Sequence, residues 1–427
     1  MKLDDLKTRL AGGELDTEIR RIYAADSAEI ASTRERLAAL IERFEADFGE
    51  ADAGLFSAPG RTEMGGNHTD HQRGHVLAGS VNLDMVACAA PNGSTLIRII
   101  SDGYPALDLD TAALEPDPAE MGTSTALVRG VCRAVTDRGY AVGGFDACIT
   151  SQVPGGSGLS SSAAYEVLVG VIVNHLFCND ELSPVELAQI GQYAENTFFG
   201  KPSGLMDQMA SSLGGVVHID FADPANPLVE PIAFDMAASG HVLCIVDSGA
   251  DHADLTSEYA AITDEMRAVS QHFGKQYLSE VREADFWAEL QAVRAATGDR
   301  AALRAAHFFG DNARVPKQAA ALVEGRFPDF LELVRASGVS SAMQLQNLFS
   351  TADPHQQAVG VTLALADHLL AGRGAVRVHG GGFAGTIQAY VPVDRAEDFR
   401  AGMDAVLGAG SCAILHIRPA GGVVIAD

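Results

Sequence analysis

The chain has 427 residues, 47% of them hydrophobic and 20% charged, which is typical of a globular protein of roughly two or three domains. Its formal net charge of −26 argues against non-specific binding to nucleic acid or to an anionic membrane. The six cysteines lack metal-ligand or redox spacing, and no segment approaches the ~20 apolar residues of a membrane span, so we expect a cytoplasmic protein without nucleic-acid or membrane partners.

The first half of the chain is predicted to contain both helices and strands. Apolar residues at helical spacing predict a helix over 27–48, with Ser27 as its N-cap, after a short helix and a polar connection in 1–26. Apolar runs predict strands at 55–58, 76–83, 85–90, 95–101 and 144–152, with 91–94 as a hairpin turn. Further helices are predicted at 121–138, 163–177 and 184–196, and another starts within 201–209.

The second half has long helical stretches set apart from strands. The predicted strands are 216–221, 242–247, 375–379, 383–391, 412–417 and 423–426, and the predicted helices are 253–273, most of 283–372, and 395–407. Helices segregated from antiparallel-looking strands predict an α+β fold. Because Gly214-Gly215 interrupts a helix, we predict one domain over residues 1–213 and a second over 214–427.

A glycine-rich loop, Val153-Pro-Gly-Gly-Ser-Gly-Leu-Ser-Ser-Ser-Ala-Ala164, leads directly into a predicted helix. Glycine lets a backbone approach a bulky ligand, and the unpaired N–H groups of a first helical turn suit phosphate. The loop contains no Lys and therefore departs from the Walker pattern, and it meets the dinucleotide fingerprint poorly. By itself this segment leaves a nucleotide phosphate loop and an ordinary glycine-rich turn open.

Two further segments combine glycine with polar groups. The segment 60–71 is a polar loop that suits either a polyhydroxylated ligand or a solvated surface, and its one cation, Arg61, could pair with a carboxylate or a phosphoryl group. In 379–386 a glycine run indicates close approach to a backbone or a ligand. Asp207 is either a first-turn charge or a partner of a substrate hydroxyl, and Glu195 is either solvated or a magnesium ligand.

Taken in order, these segments resemble the signature motifs of the GHMP kinase superfamily, and in detail those of the galactokinase family. Gly60-Arg-Thr-Glu-Met-Gly-Gly-Asn-His-Thr-Asp-His71 is similar to the galactokinase signature Gly-Arg-Val-Asn-Leu-Ile-Gly-Glu-His-Thr-Asp-Tyr. Residues 154–163 are similar to Pro-x-Gly-x-Gly-Leu-Ser-Ser-Ser-Ala with one extra position, and 380–386 to Gly-Gly-Gly-Phe-Gly-Gly-Thr with Ala384 for one Gly. Residues 201–208 and 257–259 resemble galactokinase segments that carry the catalytic Asp and a sugar-contacting Tyr.

The resemblance implies a two-domain GHMP kinase fold with its active site in the cleft between the domains. The N-terminal domain would resemble ribosomal protein S5, with a sugar-binding segment at about 27–75 and an ATP loop at 153–164. The C-terminal domain would be ferredoxin-like and carry the glycine motif 379–386. The implied activity is phosphorylation of the C1 hydroxyl of galactose by ATP with Mg²⁺, in a monomer or weak dimer.

The same resemblance implies roles for individual residues. Asp207 and Arg61 would be catalytic, with Asp207 near the anomeric hydroxyl and Arg61 keeping it ionised, and Ser162 and Glu195 would hold Mg²⁺. The implied ATP-binding residues are Pro154, Gly155, Gly156, Ser157, Gly158, Leu159, Ser160 and Ser161. The implied sugar-binding residues are Asn67, His68, Asp70, Gly204, Asp247 and Tyr259.

Two departures from the galactokinase signature matter for the substrate: Asn67 stands where the family has Glu, and His71 where it has Tyr. The family Glu receives a hydrogen bond from the sugar's C6 hydroxyl, so Asn removes a negative charge beside C6. Galactose remains the first expectation, and a C6-modified hexose such as galacturonate is the alternative. A non-catalytic sugar and ATP sensor is disfavoured by the intact serine run with Arg61 and Asp207, and a mevalonate or homoserine kinase by the 68–70 cluster.

Overall fold

The computed structural model describes residues 1–155, 158–201, 203–250 and 255–427. Within these ranges the strands form an eight-stranded sheet and a four-stranded sheet. The strands are β1 (Gly54–Gly65), β2 (His75–Pro91), β3 (Leu96–Ser101), β4 (Leu107–Asp110), β5 (Phe145–Ser151), β6 (Val216–Asp220), β7 (Leu228–Ile232), β8 (His241–Asp247), β9 (Ala375–Val378), β10 (Thr386–Pro392), β11 (Cys412–Leu415) and β12 (Val423–Ala426).

Helices cover both sheets. The α-helices are α1 (Leu3–Ala11), α2 (Asp16–Tyr23), α3 (Ser27–Phe48), α4 (Ser124–Asp137), α5 (Ser161–Phe177), α6 (Pro184–Tyr193), α7 (Met206–Leu213), α8 (Thr256–His272), α9 (Glu283–Ala288), α10 (Leu290–Thr297), α11 (Asp299–Val323), α12 (Phe327–Ser340), α13 (Ala358–Leu370) and α14 (Ala396–Leu407). Short π-helical segments, Ala194–Phe199 and Ser341–Leu345, continue α6 and α12. The mixture confirms the α+β prediction.

The eight-stranded sheet follows the order β12-β1-β2-β5-β3-β4, and β6 pairs with both β2 and β7. Strands β3 and β5 are parallel, whereas β2 is antiparallel to its neighbours β1, β5 and β6. Because β5 lies between β2 and β3, the predicted hairpin at 91–94 is wrong: those residues connect two strands that are not paired. Strands β6, β7 and β12 follow Gly214 in sequence yet belong to this sheet, and the domain boundary at that glycine stays a prediction.

Strand β2 separates two hydrophobic cores. Met85, Ala87 and Ala89 belong to the core that contains α4 and α5, whereas Val86 and Cys88 belong to the core built by α1–α3. Alternate residues of a strand point to opposite faces, so a strand covered on both faces has a continuous apolar sequence. The α3 helix that covers one face begins with Asp26 as N-cap in a capping box with Glu29. The prediction of Ser27 as the cap is wrong by one residue.

The four-stranded sheet has the order β11-β8-β10-β9. One of its faces packs against α13 and α14, and residues of the other face, such as Leu243 and Tyr390, join the core of the larger sheet. The sheets are also linked by polar contacts, since Gln388 Nε2 donates to Thr62 Oγ1 over 2.7 Å. In the described part of the chain, no helix combines the length and hydropathy needed to cross a bilayer.

Strand β1 is longer than predicted and contains the start of the 60–71 segment. It continues past residue 58 to Gly65, and Arg61 pairs with Ser80 of β2. Register shifts at Pro59/Arg61 and Glu63/Gly65 mark bulges, and a bulge is the usual place for Pro or Gly within a strand. The predicted end of this strand at residue 58 is therefore wrong, as is the assignment of residues 60–65 to a loop, and Arg61 projects from a strand that is paired on the sheet.

Candidate active site

Arg61 and Asp207 form the centre of the site. Arg61 Nε donates to Asp207 Oδ1 over 2.7 Å, although 146 positions separate the two residues in sequence. The hydroxyl of Ser160 donates to the other oxygen, Asp207 Oδ2. Asp207 lies in the first turn of α7, where the helix dipole also favours a negative charge. The side chain of Arg61 is 6% exposed and that of Asp207 is 28% exposed, so the carboxylate is the more accessible partner.

The charge state of Asp207 follows from these contacts. Burial opposes ionisation, but the charge of Arg61 and the hydrogen bonds from Arg61 and Ser160 outweigh it and lower the pKa of Asp207 to about 2. Asp207 is therefore ionised at neutral pH and is a weak base in this state. The pKa of Arg61 is raised, since its interaction with Asp207 outweighs the effect of burial.

The loop before α5 contacts the other two glycine-containing segments. The Leu159 carbonyl accepts a hydrogen bond from the Arg61 N–H over 3.0 Å, and the Gly158 carbonyl accepts one from the Arg61 guanidinium. A Cβ atom at Gly158 would lie 2.8 Å from Thr386 Oγ1, so only glycine fits there. Ser160 adopts a left-handed φ of 58° just before α5. The three segments predicted to act together therefore meet at one place.

The two residues predicted to hold Mg²⁺ are in contact. Ser162 Oγ donates to Glu195 Oε1 over 3.1 Å, and Glu195 is 2% exposed. Lys201 Nζ lies 2.7 Å from Glu195 Oε1, and Gln208 Nε2 lies 3.0 Å from Glu195 Oε2. Two hard oxygen donors beside the predicted phosphate loop fit Mg²⁺. Lys201 and Gln208 were not singled out from the sequence, although both stand in the quoted 201–208 segment.

Asp70 and Gly204 are packed together beside this centre. A Cβ atom at Gly204 would lie 1.7 Å from Asp70 Oδ2, so glycine is required for the close approach of the carboxylate. Gly204 stands three residues before Asp207, and Asp70 raises the pKa of Arg61 through its charge. His71, next to Asp70, stacks on His68 with ring centroids 6.0 Å apart. The structure thus groups Asp70 and Gly204 with the Arg61–Asp207 pair.

Three of the predicted sugar-binding side chains contact consecutive carbonyls of the glycine motif. Asn67 Nδ2 donates to Gly380 O over 2.7 Å, His68 Nε2 to Gly381 O over 3.0 Å, and Tyr259 OH to Gly382 O over 2.9 Å. Burial lowers the pKa of His68 to about 3, so its imidazole is neutral, and its hydrogen is assigned to Nε2 because a carbonyl only accepts. The motif 380–382 therefore borders the predicted sugar site.

The side chain of Asn67 is held by contacts within the protein. Its side chain is fully buried, and Nδ2 also lies 3.1 and 3.3 Å from the two carboxylate oxygens of Glu63. Its Oδ1 accepts from Asn347 over 3.0 Å and from Ser341 over 3.2 Å. Both the nitrogen and the oxygen of the carboxamide are thus hydrogen-bonded within the protein, and a direct contact with the C6 group of a sugar stays a prediction.

Glu63 places a carboxylate beside Asn67, which itself lacks the carboxylate that the family signature has at this position. It is 2% exposed and pairs with the buried guanidinium of Arg377 on β9. Burial raises the pKa of Glu63, and the charge of Arg377 opposes that rise. Neither residue was identified from the sequence. The signal was present, because the galactokinase signature has Asn at the position of Glu63, so the two residue types are exchanged between positions 63 and 67.

The remaining predicted residues are Asp247 of the sugar set and five residues of the ATP set. Asp247 ends β8 beside Thr386, but its carboxylate is exposed and accepts from Gly249 within its own turn. Pro154, Gly155 and Ser161 lie in or directly after the 153–160 loop, as expected. Gly156 and Ser157, also predicted to bind ATP, lie outside the described residues.

Comparisons with known proteins agree with this arrangement. Residues 126–215 match the model of the GHMP kinases N terminal domain, and 42–91 match the galactokinase galactose-binding signature. The galactokinase of Streptomyces coelicolor is 31% identical over 86% of this chain and 89% of the relative. The structure of Lactococcus lactis galactokinase complexed with galactose matches 91% of this chain and 99% of that one, with 26% identity and a TM-score of 0.78. Methanococcus jannaschii mevalonate kinase shares the fold, with 13% identity, 86% and 98% coverage and a TM-score of 0.60.

The fold and the three segments that meet at Arg61 define a GHMP kinase. Kinases of this class transfer a phosphoryl group from ATP, which agrees with a glycine-rich loop leading into a helix. With the 31% identity over most of both chains and the match to the galactose-binding signature, the chain belongs to the galactokinase family. It is therefore a sugar kinase.

Proposed function

We propose that the protein transfers the γ-phosphoryl group of ATP to the C1 hydroxyl of galactose, giving galactose 1-phosphate and ADP. The observation that carries the proposal is the Arg61–Asp207 pair, which lies between the loop before α5 and the Asp70–Gly204 contact. This arrangement has a carboxylate for the acceptor hydroxyl on one side and a phosphate loop on the other.

Asp207 orients the C1 hydroxyl and accepts its proton as the C1 oxygen bonds to the γ-phosphorus. The bond between the γ-phosphorus and the β–γ bridging oxygen breaks, and ADP leaves with that oxygen. A carboxylate whose pKa is about 2 is a poor base for a free hydroxyl, so the proton moves together with phosphoryl transfer rather than before it. Arg61 keeps Asp207 ionised and neutralises charge on the transferred group.

Ser162 and Glu195 are the residues proposed to hold Mg²⁺, because they offer two oxygen ligands 3.1 Å apart beside the phosphate loop. When bound, the ion would neutralise phosphate charge. Lys201 contacts the same Glu195 oxygen over 2.7 Å and brings a second positive charge to the phosphate side of the site. Residues 154–161 are proposed to surround the ATP phosphates, with Ser160 serving mainly to hold Asp207.

The contact between Glu63 and Asn67 disfavours the galacturonate alternative. It depended on the absence of a negative charge near residue 67, but Glu63 lies 3.1 Å from the Asn67 amide. We also propose a cytoplasmic location, which agrees with six buried cysteines that form no disulfide. The proposal of a monomer or weak dimer rests on the resemblance alone.

A substrate panel tests the proposal. ADP release is measured with galactose, galacturonate, N-acetylgalactosamine, mevalonate and homoserine, at equal concentration and with ATP and Mg²⁺ in excess. We expect turnover with galactose to exceed that with each other acceptor. Asp207→Asn, which keeps the shape of the side chain, is the negative control. Faster turnover of galacturonate than of galactose would contradict the proposed substrate, and ADP release unchanged by Asp207→Asn would contradict the proposed mechanism.

A further inference from the structure

Asn347 contacts the sugar site from a part of the chain that none of the signature segments includes. It lies in the segment after the π-helical turns Ser341–Leu345, behind Gln346, whose φ of 59° turns the backbone sharply. Its side chain is fully buried. Nδ2 donates to Asn67 Oδ1 over 3.0 Å and to Gly381 O over 3.1 Å. A primary amide has two hydrogens, so Asn347 uses both on residues that border the sugar site.

The surroundings of Asn67 allow its amide only one orientation. Its oxygen faces two donors, Asn347 and Ser341, and its nitrogen faces two acceptors, the Glu63 carboxylate and the Gly380 carbonyl. Rotating the amide by half a turn would set acceptors against acceptors and donors against donors. Buried polar groups without matched partners are costly, so the donors on the oxygen side determine which way the amide points.

The contact with Gly381 extends the effect of Asn347 to two other side chains. His68 donates to the same Gly381 carbonyl, and a Cβ atom at Gly381 would lie 2.6 Å from Tyr259 Cε1, so the tyrosine ring packs directly on this glycine. A Cβ atom at Gly382 would lie 2.1 Å from the Asn347 carbonyl oxygen. Asn347 therefore packs on the same short backbone segment as His68 and Tyr259.

We propose that Asn347 is a positioning residue for sugar binding, which holds the Asn67 amide and the 380–382 backbone so that His68 and Tyr259 are correctly placed. It acts through these groups and does not touch ATP. The inference rests on the proposed function, because the sugar site is the one named there. The proposal predicts a selective effect: removing the hydrogen bonds that Asn347 donates lowers the affinity for the sugar and leaves the affinity for ATP unchanged.

The decisive variant is Asn347→Asp, which keeps the shape of the side chain and replaces both donated hydrogen bonds by acceptors. We expect the KM for galactose to rise about 10-fold, the equivalent of losing one to two buried hydrogen bonds, with the KM for ATP and kcat within about 3-fold of wild type. Ser341→Ala removes the other donor to Asn67 and leaves Gly381 alone, so it should raise the galactose KM by only about 3-fold. Asn179→Asp, the same change at an exposed turn, is the matched control.

Galactose binding is also measured directly by calorimetry without ATP, and circular dichroism establishes that each variant is folded. A galactose KM and dissociation constant equal to wild type in Asn347→Asp overturns the proposal, as does an equal loss of ATP affinity. If Asn347→Asp does not fold, Ser341→Ala decides: a folded variant with unchanged galactose affinity refutes the role of the Asn67 orientation. Should the wild type prefer another sugar of the panel, the proposed substrate fails, and the same variants measured with that sugar still test Asn347.

Discussion

Restoring the family residue at position 67 should damage this protein. In Asn67→Glu a second carboxylate lies beside Glu63, because the Asn67 nitrogen is 3.1 and 3.3 Å from the two Glu63 oxygens. Two like charges about 4 Å apart repel by about 4 kcal/mol at an effective dielectric constant of about 20. The lost hydrogen bond to Gly380 adds about 1 kcal/mol. We expect the free energy of unfolding to fall by about 3–5 kcal/mol, against the total of about 5–15 kcal/mol common for a domain.

The assay is urea unfolding of four proteins: wild type, Asn67→Glu, Glu63→Asn, and the double variant that exchanges the two residues. Glu63→Asn should also cost about 3–5 kcal/mol, because it leaves the buried Arg377 guanidinium without its carboxylate. The double variant again has one carboxylate for one guanidinium. It should therefore be more stable than the sum of the two single losses predicts, by at least about 2 kcal/mol.

Gln291→Glu, which exchanges an amide for a carboxylate at an exposed position of α10, is the control for the change of charge, and it should alter stability by less than about 0.5 kcal/mol. If the double variant loses as much unfolding free energy as the two single variants together, then the Arg377 guanidinium does not pair equally with a carboxylate at position 63 or at position 67, and the idea is refuted. Asn67→Glu with wild-type stability would refute the packing of Asn67 against Glu63.

Four further predictions rest on individual contacts. Asp207→Asn should lower kcat about 1,000-fold in the ADP-release assay, with ATP affinity unchanged. The pKa of Asp207 is depressed from 3.8 to about 2, so its ionised form stabilises the fold fully above pH 3.8, and this stability is lost as the pH falls through about 2. The pKa is measured by NMR titration of Asp207, and a midpoint above about pH 4 would contradict its pairing with Arg61. Glu195→Gln should raise the Mg²⁺ concentration for half-maximal activity by about 10-fold, and an unchanged Mg²⁺ titration would exclude Glu195 as a ligand. Asp26→Ala should lower the free energy of unfolding by about 1 kcal/mol and Ser27→Ala by less, since Asp26 caps α3; equal losses would contradict that capping box.

The groups proposed to carry the chemistry could be singled out from the sequence, most of them because they stand in a local motif. Arg61, Ser162 and Asp207 come from three separate segments, and Glu195 comes from the helix before 201–208; the structure brings the four into two contacting pairs. Ser160 makes a contact that the sequence did not predict. Its hydroxyl contacts Asp207 instead of facing only the phosphate side, because the left-handed backbone at this residue turns the loop immediately before α5.

Boundaries and partners across the chain were harder to predict. Proline and glycine at positions 59 and 60 suggested the end of a strand, yet bulges let β1 continue, and only the pairing with β2 reveals this. The partner of Glu63 is Arg377, which lies 314 positions away on the other sheet. No local pattern identifies such a pair, because the choice of partner depends on how the two sheets are packed.

The exchange between positions 63 and 67 changes what the sequence implies about the sugar. A signature compared one position at a time indicates that a carboxylate is missing at Asn67 and that the site tolerates a negative group at C6. In the structure the carboxylate of Glu63 touches the Asn67 amide, so the number of carboxylates at this end of the site equals that in the family signature. If the C6 group of the sugar lies beside residue 67, as the resemblance implies, a C6 carboxylate would approach Glu63, whose charge Arg377 compensates in part. Glu63 and Asn67 considered together therefore favour galactose over galacturonate, whereas Asn67 considered alone favours galacturonate.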